Sequence, residues 1–326
     1  MKPKSNFLLA ADHPGQRGGA RPLRRRVLLM GAALVPMLGA CAAPSGPTQA
    51  VAPGNGYASP ASSAQARWRQ LEADAGGRLG VAVYTAKGGS TLHYRADERF
   101  AATSTFKALA AAGVLAQATQ DKTLLARRIR YRPEDLVRYS PVTERHLADG
   151  LTLVELCAAA LQYSDNTAGN LLLRQLGGPA GLTRYARSLG DPSFRLDRWE
   201  TELNTAIPGD ARDTCTPGDM ARNVHRLLVG DALAPAARAQ LVQWMLANTT
   251  GNERIRAGVP ADWRVADKTG GGDYGSTNDL AVIWPETGAA LALAVYFTQP
   301  AQDAKARSDV IAEATRIAVR ALALRG

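Results

Sequence analysis

The amino-acid sequence predicts an α/β (α+β) protein: a sheet layer assembled from both ends of the chain, with an all-helical segment inserted between them. Short apolar runs bounded by turn residues occur early, at residues 80–86 and 90–95, and again late, at 263–268, 279–284 and 290–297. The intervening stretch, 103–247, shows mainly helical signals interrupted by loops. Strands at both ends with helices between them lead to this two-layer arrangement, and the cleft between such layers is a natural place for a ligand.

The elements follow in chain order. Residues 1–41 carry seven basic side chains against Asp12 alone, so +6 of the net +10 lies there and +4 remains for residues 42–326. Basicity confined to one terminus argues against a nucleic-acid surface on the folded part. Arg24, Arg25 and Arg26 precede fourteen mostly apolar residues, 27–40, which end in the small residues Gly39 and Ala40 and are followed by Cys41. That run falls short of the about 20 residues needed to cross a bilayer and fits an export signal. "LGAC" resembles a bacterial lipobox, which implies cleavage before Cys41 and lipid on its thiol. The arginine run resembles a twin-arginine motif, leaving Tat and Sec export both open. Residues 42–63 are rich in Pro, Gly, Ser and Ala and hold no charge, which predicts a flexible linker.

A helix over 64–75 should end at Gly76-Gly77, followed by a hairpin turning at 87–89. At the other end, Val310, Ala314, Ile317, Ala321 and Leu324 form a stripe at helical spacing, a core contact. The catalytic domain is thus expected over 64–326, with its α/β part at 64–101 and 248–326 and its helical part at 102–247. Cys157 and Cys215 could pair in an oxidising compartment, but two cysteines make neither a disulfide framework nor a metal site. Four scattered histidines show no zinc spacing, so no metal is expected. Gly270, Gly272 and Gly275 satisfy GxGxxG, yet they lead into another strand rather than a helix, so no nucleotide cofactor is expected.

Within residues 101–120 the only charged side chain is Lys107, three positions after Ser104. On a helix these two share a face. A buried unpaired ammonium costs several kcal/mol, so a partner or a use is expected. A serine needs a nearby base to become a nucleophile, and burial and nearby cations favour the neutral amine that could serve as one. Backbone N–H groups at a helix start could also stabilise an oxyanion. Alone, the pair reads equally as a capping serine with a snorkelling lysine.

Three further motifs follow: Ser164-Asp165-Asn166 in "YSDNTAGN", Glu200 and Asn204 in "RWETELN", and Lys268-Thr269-Gly270 in "DKTGGGDYG". With Ser104 and Lys107 they make the chain similar to the class A serine β-lactamases, penicillin-recognising serine hydrolases, over residues 64–326. The resemblance implies a mostly antiparallel five-stranded sheet flanked by helices and a monomer without cofactors. It also implies hydrolysis of penicillins and cephalosporins outside the inner membrane, in the periplasm.

The resemblance also implies roles. Ser104 would attack the β-lactam carbonyl, and Lys107, or water on Glu200, would take its proton. Ser164 would relay a proton to the ring nitrogen. Asn166 would bind the substrate's amide. Lys268 would supply positive potential, Thr269 would bind the carboxylate, and Gly270 would leave room for substrate along the strand. The N–H groups of Ser104 and Gly271 would form the oxyanion hole. Glu200, helped by Asn204, would activate the deacylating water. Arg198 and Asp213 would hold the family's omega loop, and Asp165 a turn. Tyr139 would stand as an aromatic gate, and Arg254 would bind the carboxylate in place of an arginine elsewhere, where this chain has Thr277. Thr103 and Gly272 stand where a carbapenem-hydrolysing subgroup has bridged cysteines, so that activity is not implied. Cys157, opposite Ala111, reads as a buried free thiol. A peptidoglycan DD-peptidase or transpeptidase and a penicillin sensor are the competing readings, and Glu200 and Asn204 argue against both.

Overall fold

The computed structural model describes residues 59–85 and 89–323. The expected export signal with Cys41, most of the expected linker, the hairpin tip and Leu324 lie outside the described residues. Helix α1 (Pro60–Ala75) starts four residues before its expected position. Ser59 accepts from the Ser62 N–H at its start, Pro60 occupies the first turn, and left-handed Gly76 ends it. The last residues of the expected linker, 60–63, are therefore helical.

Strands β1 (Arg78–Thr85) and β2 (Gly89–Tyr94) form the early hairpin. Two short strands, β3 (Phe100–Ala101) and β6 (Thr214–Cys215), pair with each other, as do β4 (Arg128–Ile129) and β5 (Leu151–Thr152). The late strands are β7 (Arg264–Gly272), β8 (Ser276–Trp284) and β9 (Leu291–Thr298). The main sheet has the order β2-β1-β9-β8-β7, antiparallel throughout, so it is closed from the two ends of the chain as expected. β7 runs further than residues 263–268 and carries the whole Lys268–Gly272 stretch.

The other helices are α2 (Phe106–Gln120), α3 (Leu153–Gln162), α4 (Asn166–Leu176), α5 (Gly178–Ser188), α6 (Pro217–Leu228), α7 (Pro235–Leu246) and α8 (Ser308–Ala323). Both faces of the sheet are covered, which explains why β8 and β9 read as nearly continuous apolar runs. Val81, Val83, Ile283, Val295 and Phe297 point outward against α1 and α8, where Trp68 donates to Ala314 O (3.0 Å). Their neighbours Ala82, Leu280, Val282, Ala294 and Tyr296 join a second core with the helices of the inserted segment.

The division at residues 102–247 does not hold cleanly. Helix α6 lies within that span, yet it packs on β1, β8 and β9 and ties Gly218 N to Ala96 O (2.9 Å). Thr216 caps its start, Pro217 opens its first turn, and its apolar face is buried against the sheet. The described residues form one compact unit.

Candidate active site

Three segments converge on the start of α2. A 3₁₀ turn, Thr103–Thr105, precedes the helix and holds Ser104, with Thr103 in the left-handed region (φ 43°). Such backbone in a β-branched residue costs of order 1–3 kcal/mol and persists only where the surroundings enforce it. Here Thr103 Oγ1 accepts from Asn278 Nδ2 (2.9 Å), Asn278 also donates to Ala101 O (2.9 Å), and Ala102 N donates to Asp213 O (2.8 Å).

Lys107, fully buried, donates from Nζ to Ser104 Oγ (2.7 Å), Asn166 Oδ1 (2.6 Å) and Ser164 O (2.9 Å), and lies 2.9 Å from Glu200 Oε1. Burial pulls its pKa down, and Glu200 opposes that shift. The partner expected for this ammonium is therefore present. Space for its stem comes from Gly169 on α4, where a Cβ would stand 2.8 Å from Lys107 Cε.

Ser164 joins two lysines. Its carbonyl accepts from Lys107, and its Oγ accepts from Lys268 Nζ (3.0 Å), with the backbone left-handed at φ 57°. Lys268 is also fully buried, so its pKa is pushed well below the ordinary lysine value, first by burial and then by the charge of Lys107. Asp165 caps α4 and accepts from Ala168 N (2.8 Å), Val142 N and Thr143 N (both 2.9 Å), the turn-holding role expected of it. Asn166 Nδ2 donates to Arg138 O (2.9 Å), and Asn166 N to Tyr139 O (3.0 Å). This secures the stretch that leaves the Tyr139 ring 58% exposed.

Glu200 is aimed at the same point. Ser104 Oγ–H donates to Glu200 Oε1 (3.3 Å), and Asn204 Nδ2 donates to Oε2 (2.6 Å). Asn204 Oδ1 is buried without a partner among the described residues, a free acceptor beside the carboxylate. The segment is closed at its neck by Arg198 Nε on Asp213 Oδ2 (2.5 Å), while Asp213 Oδ1 accepts from Asp197 N (2.7 Å) and Arg198 N (2.9 Å). Asn170, missed in the sequence, brackets the Glu200 peptide: its Oδ1 accepts from Glu200 N (2.9 Å) and its Nδ2 donates to Glu200 O (3.1 Å). The available signal was its position four residues after Asn166, on the same helix face.

The β7 edge supplies the opposite wall and packs beside the Thr103–Thr105 turn. Thr269 Oγ1 and Thr250 Oγ1 are 2.5 Å apart. Arg254 is largely buried, which lowers its pKa, and its Nη1 donates to Gly270 O and Asn278 O (both 2.7 Å). It therefore clamps β7 to β8 as well as standing near the expected carboxylate site. Gly270 also has a packing reason: a Cβ there would run into Thr103 Oγ1, so close packing of β7 on the nucleophile's turn requires the glycine. Gly271, the next residue, has an open Cβ position apart from Ser276 O at 3.7 Å. Cys157 is a buried free thiol as expected. Cys215 is also buried and free; it touches the Tyr296 hydroxyl, which lies 3.0 Å from Thr105 Oγ1 next to the nucleophile.

A hydroxyl in contact with a buried amine and a buried carboxylate, beside strand-edge N–H groups, defines a serine hydrolase able to work through a covalent ester. The family model described as the beta-lactamase enzyme family matches residues 63–322. Beta-lactamase OXY-1 of Klebsiella oxytoca is 51% identical over 298 residues, covering 91% of this chain and 98% of that protein. Among solved structures, the β-lactamase of Desulfarculus baarsii has a TM-score of 0.79 at 52% identity, covering 80% of this chain and 98% of the other. A mutant of the class A β-lactamase of the last common ancestor of Gram-negative bacteria has a TM-score of 0.77 at 58% identity, with 80% and 99% covered. The chain belongs to the β-lactamase enzyme family, in its class A serine branch. It is a hydrolase of the β-lactam ring of penicillins and cephalosporins.

Proposed function

We propose that ring opening proceeds through an ester on Ser104, released by water that Glu200 activates. The observation that carries this reading is the shared contact of Ser104 Oγ with Lys107 Nζ (2.7 Å) and Glu200 Oε1 (3.3 Å). Ser104 Oγ attacks the β-lactam carbonyl carbon, and its proton leaves to the Lys107 and Glu200 pair. The oxyanion is held by the N–H groups of Ser104 and Gly271. The C–N bond then breaks as Ser164 passes a proton to the ring nitrogen. Lys268, Thr269 and Arg254 receive the substrate carboxylate, Asn166 its side-chain amide, and Tyr139 the edge of the groove.

Esterification removes the hydroxyl proton that Ser104 had donated to Glu200. Oε1 is thereby released to accept from a water, and the free Asn204 Oδ1 offers that water a second acceptor. Arg198 and Asp213 act on this step by holding the omega loop, and Asn170 by holding the Glu200 peptide. Turnover of a chromogenic cephalosporin by purified protein tests the reading. Many product molecules per enzyme are expected; a single acylation without release would instead make the chain a penicillin sensor or peptidase.

We also infer export to the periplasm by the signal over 1–41, with lipid attachment at Cys41. The chain should act as a monomer, without a cofactor, on a small β-lactam and not on nucleic acid. Cys41→Ala should release the activity from membranes, and unchanged membrane association would refute the anchor.

A further inference from the structure

Beneath the returning limb of the loop that carries Glu200 lies a cavity of about 590 Å3. It is bounded by the start of β1 at Arg78, by Arg99, by the end of β9 at Thr298, and by the limb from Ala206 to Arg212. No residue assigned above to catalysis or to substrate lines it. Its size falls within the about 300–1,000 Å3 typical of small-ligand pockets, whereas a second cavity beside Tyr84 and Arg222 measures only about 170 Å3.

The lining has a definite chemistry. Ala206, Ile207, Pro208, Ala211 and Pro300 offer apolar surface. Arg78 is matched by Glu98 (3.1 Å) and lies over the Phe100 ring, while Arg212 is matched by Asp210 (2.7 Å). Arg99 donates from Nη1 to Ser193 O and Thr214 Oγ1 (both 2.8 Å) and has no carboxylate partner among the described residues. The wall therefore carries one uncompensated positive charge beside an apolar surface.

We propose that this cavity is a binding site for a small organic monoanion, a ring body bearing a carboxylate or sulfonate that meets Arg99, separate from the β-lactam groove. A guanidinium takes such a group through paired charge-assisted hydrogen bonds. The occupant would rest against Ala206, two residues beyond Asn204, whose amide holds Glu200 Oε2. Resting on the deacylation role of Glu200, occupancy braces that limb and alters ester release rather than acylation.

Binding alone tests the site, so a failure here is distinct from a failure of the catalytic reading. The probe is 8-anilinonaphthalene-1-sulfonate, titrated by fluorescence and calorimetry against the full chain whose Ser104 is capped by phenylboronic acid. One saturable probe per chain is expected, retained under the boronate. Ala211→Trp should abolish binding, and Arg99→Gln should weaken it by about tenfold or more, the scale of one lost charge-assisted bond. Should either variant not fold by circular dichroism, the wild type still decides: neutral N-phenyl-1-naphthylamine should bind about tenfold more weakly than the sulfonate. Displacement by the boronate, equal affinity for the neutral analogue, affinity unchanged in folded variants, or no saturable binding would each overturn the proposal.

Discussion

The two sides of the central sheet differ in how much charge they bury and how close that charge lies to the nucleophile. On the outer side, α1 and α8, the latter through Val310, Ile311 and Ile317, close over Val81, Val295 and Phe297 in a mainly apolar core, with Glu72, Asp267 and Asp279 buried at its edges. On the inner side, the apolar core gives way at the start of α2 to buried Lys107, Lys268, Glu200, Asp165 and Asp213. Left-handed backbone accompanies them at Thr103, Tyr139, Ser164 and Asp213. Burying paired charges adds little or nothing to stability compared with apolar packing, and left-handed β-branched backbone costs energy. The difference teaches that the outer layer stabilises the molecule, while the inner one sacrifices stability to hold groups ready for reaction.

That contrast can be broken most forcefully at Lys107. Lys107→Ala should slow acylation by about 10²–10⁴-fold, the usual contribution of positioned acid–base groups, in stopped-flow mixing with a chromogenic cephalosporin. Near-normal acylation in a folded variant would remove the assigned function. The matching cut on the outer side is Ile311→Ala, which should cost about 2–5 kcal/mol in denaturant unfolding while leaving kcat/KM unchanged. A large loss of activity there would mean that the two layers are not separable.

Asn170→Ala sharpens the comparison, because it strips hydrogen bonds from the Glu200 peptide without touching substrate. Unfolding should cost about 1–3 kcal/mol for the unpaired groups, and ester release should slow more than ester formation. Equal slowing of both steps would make Asn170 merely structural. The smallest effects appear in pH profiles. With its pKa lowered by burial, Lys107 reaches its neutral form at lower pH than an ordinary lysine, so acylation should rise with pH below the ordinary lysine range. As pH rises through the lowered pKa of Lys268, its deprotonation should raise KM for the substrate carboxylate. For both lysines the folded pKa lies below the unfolded value. The unfolded chain then binds more protons between the two, and their contribution to stability should increase with pH across that window. An acylation limb at the ordinary lysine pKa would contradict this assignment.

Much of this was legible in the sequence, and what was not shares a physical cause. The late strands and the α8 stripe announce themselves by periodicity and turn residues, which are local. Ser104 and Lys107 announce themselves because an isolated charge in an apolar run needs a reason. Asn170, Asn278 and Tyr296 were missed because each acts on a backbone or hydroxyl partner distant in sequence: Glu200, Ala101 and Thr105 respectively. Spacing carries no record of such pairings. The packing of α6 on the sheet was hidden for the same reason, since an amphipathic pattern reveals that a face is buried but not against what. The packing reason for Gly270 was hidden too, because its neighbour Thr103 could not be located from the sequence.

The central claim is that release of the ester on Ser104 depends on Glu200 far more than its formation does, because Lys107 also contacts the attacking hydroxyl. Intact-mass spectrometry of Glu200→Gln mixed with a penicillin tests it most directly. The account predicts rapid growth of one covalent adduct, mapped to Ser104, that persists long after the wild type has returned to its free mass. A variant that sheds the adduct as fast as the wild type would contradict it.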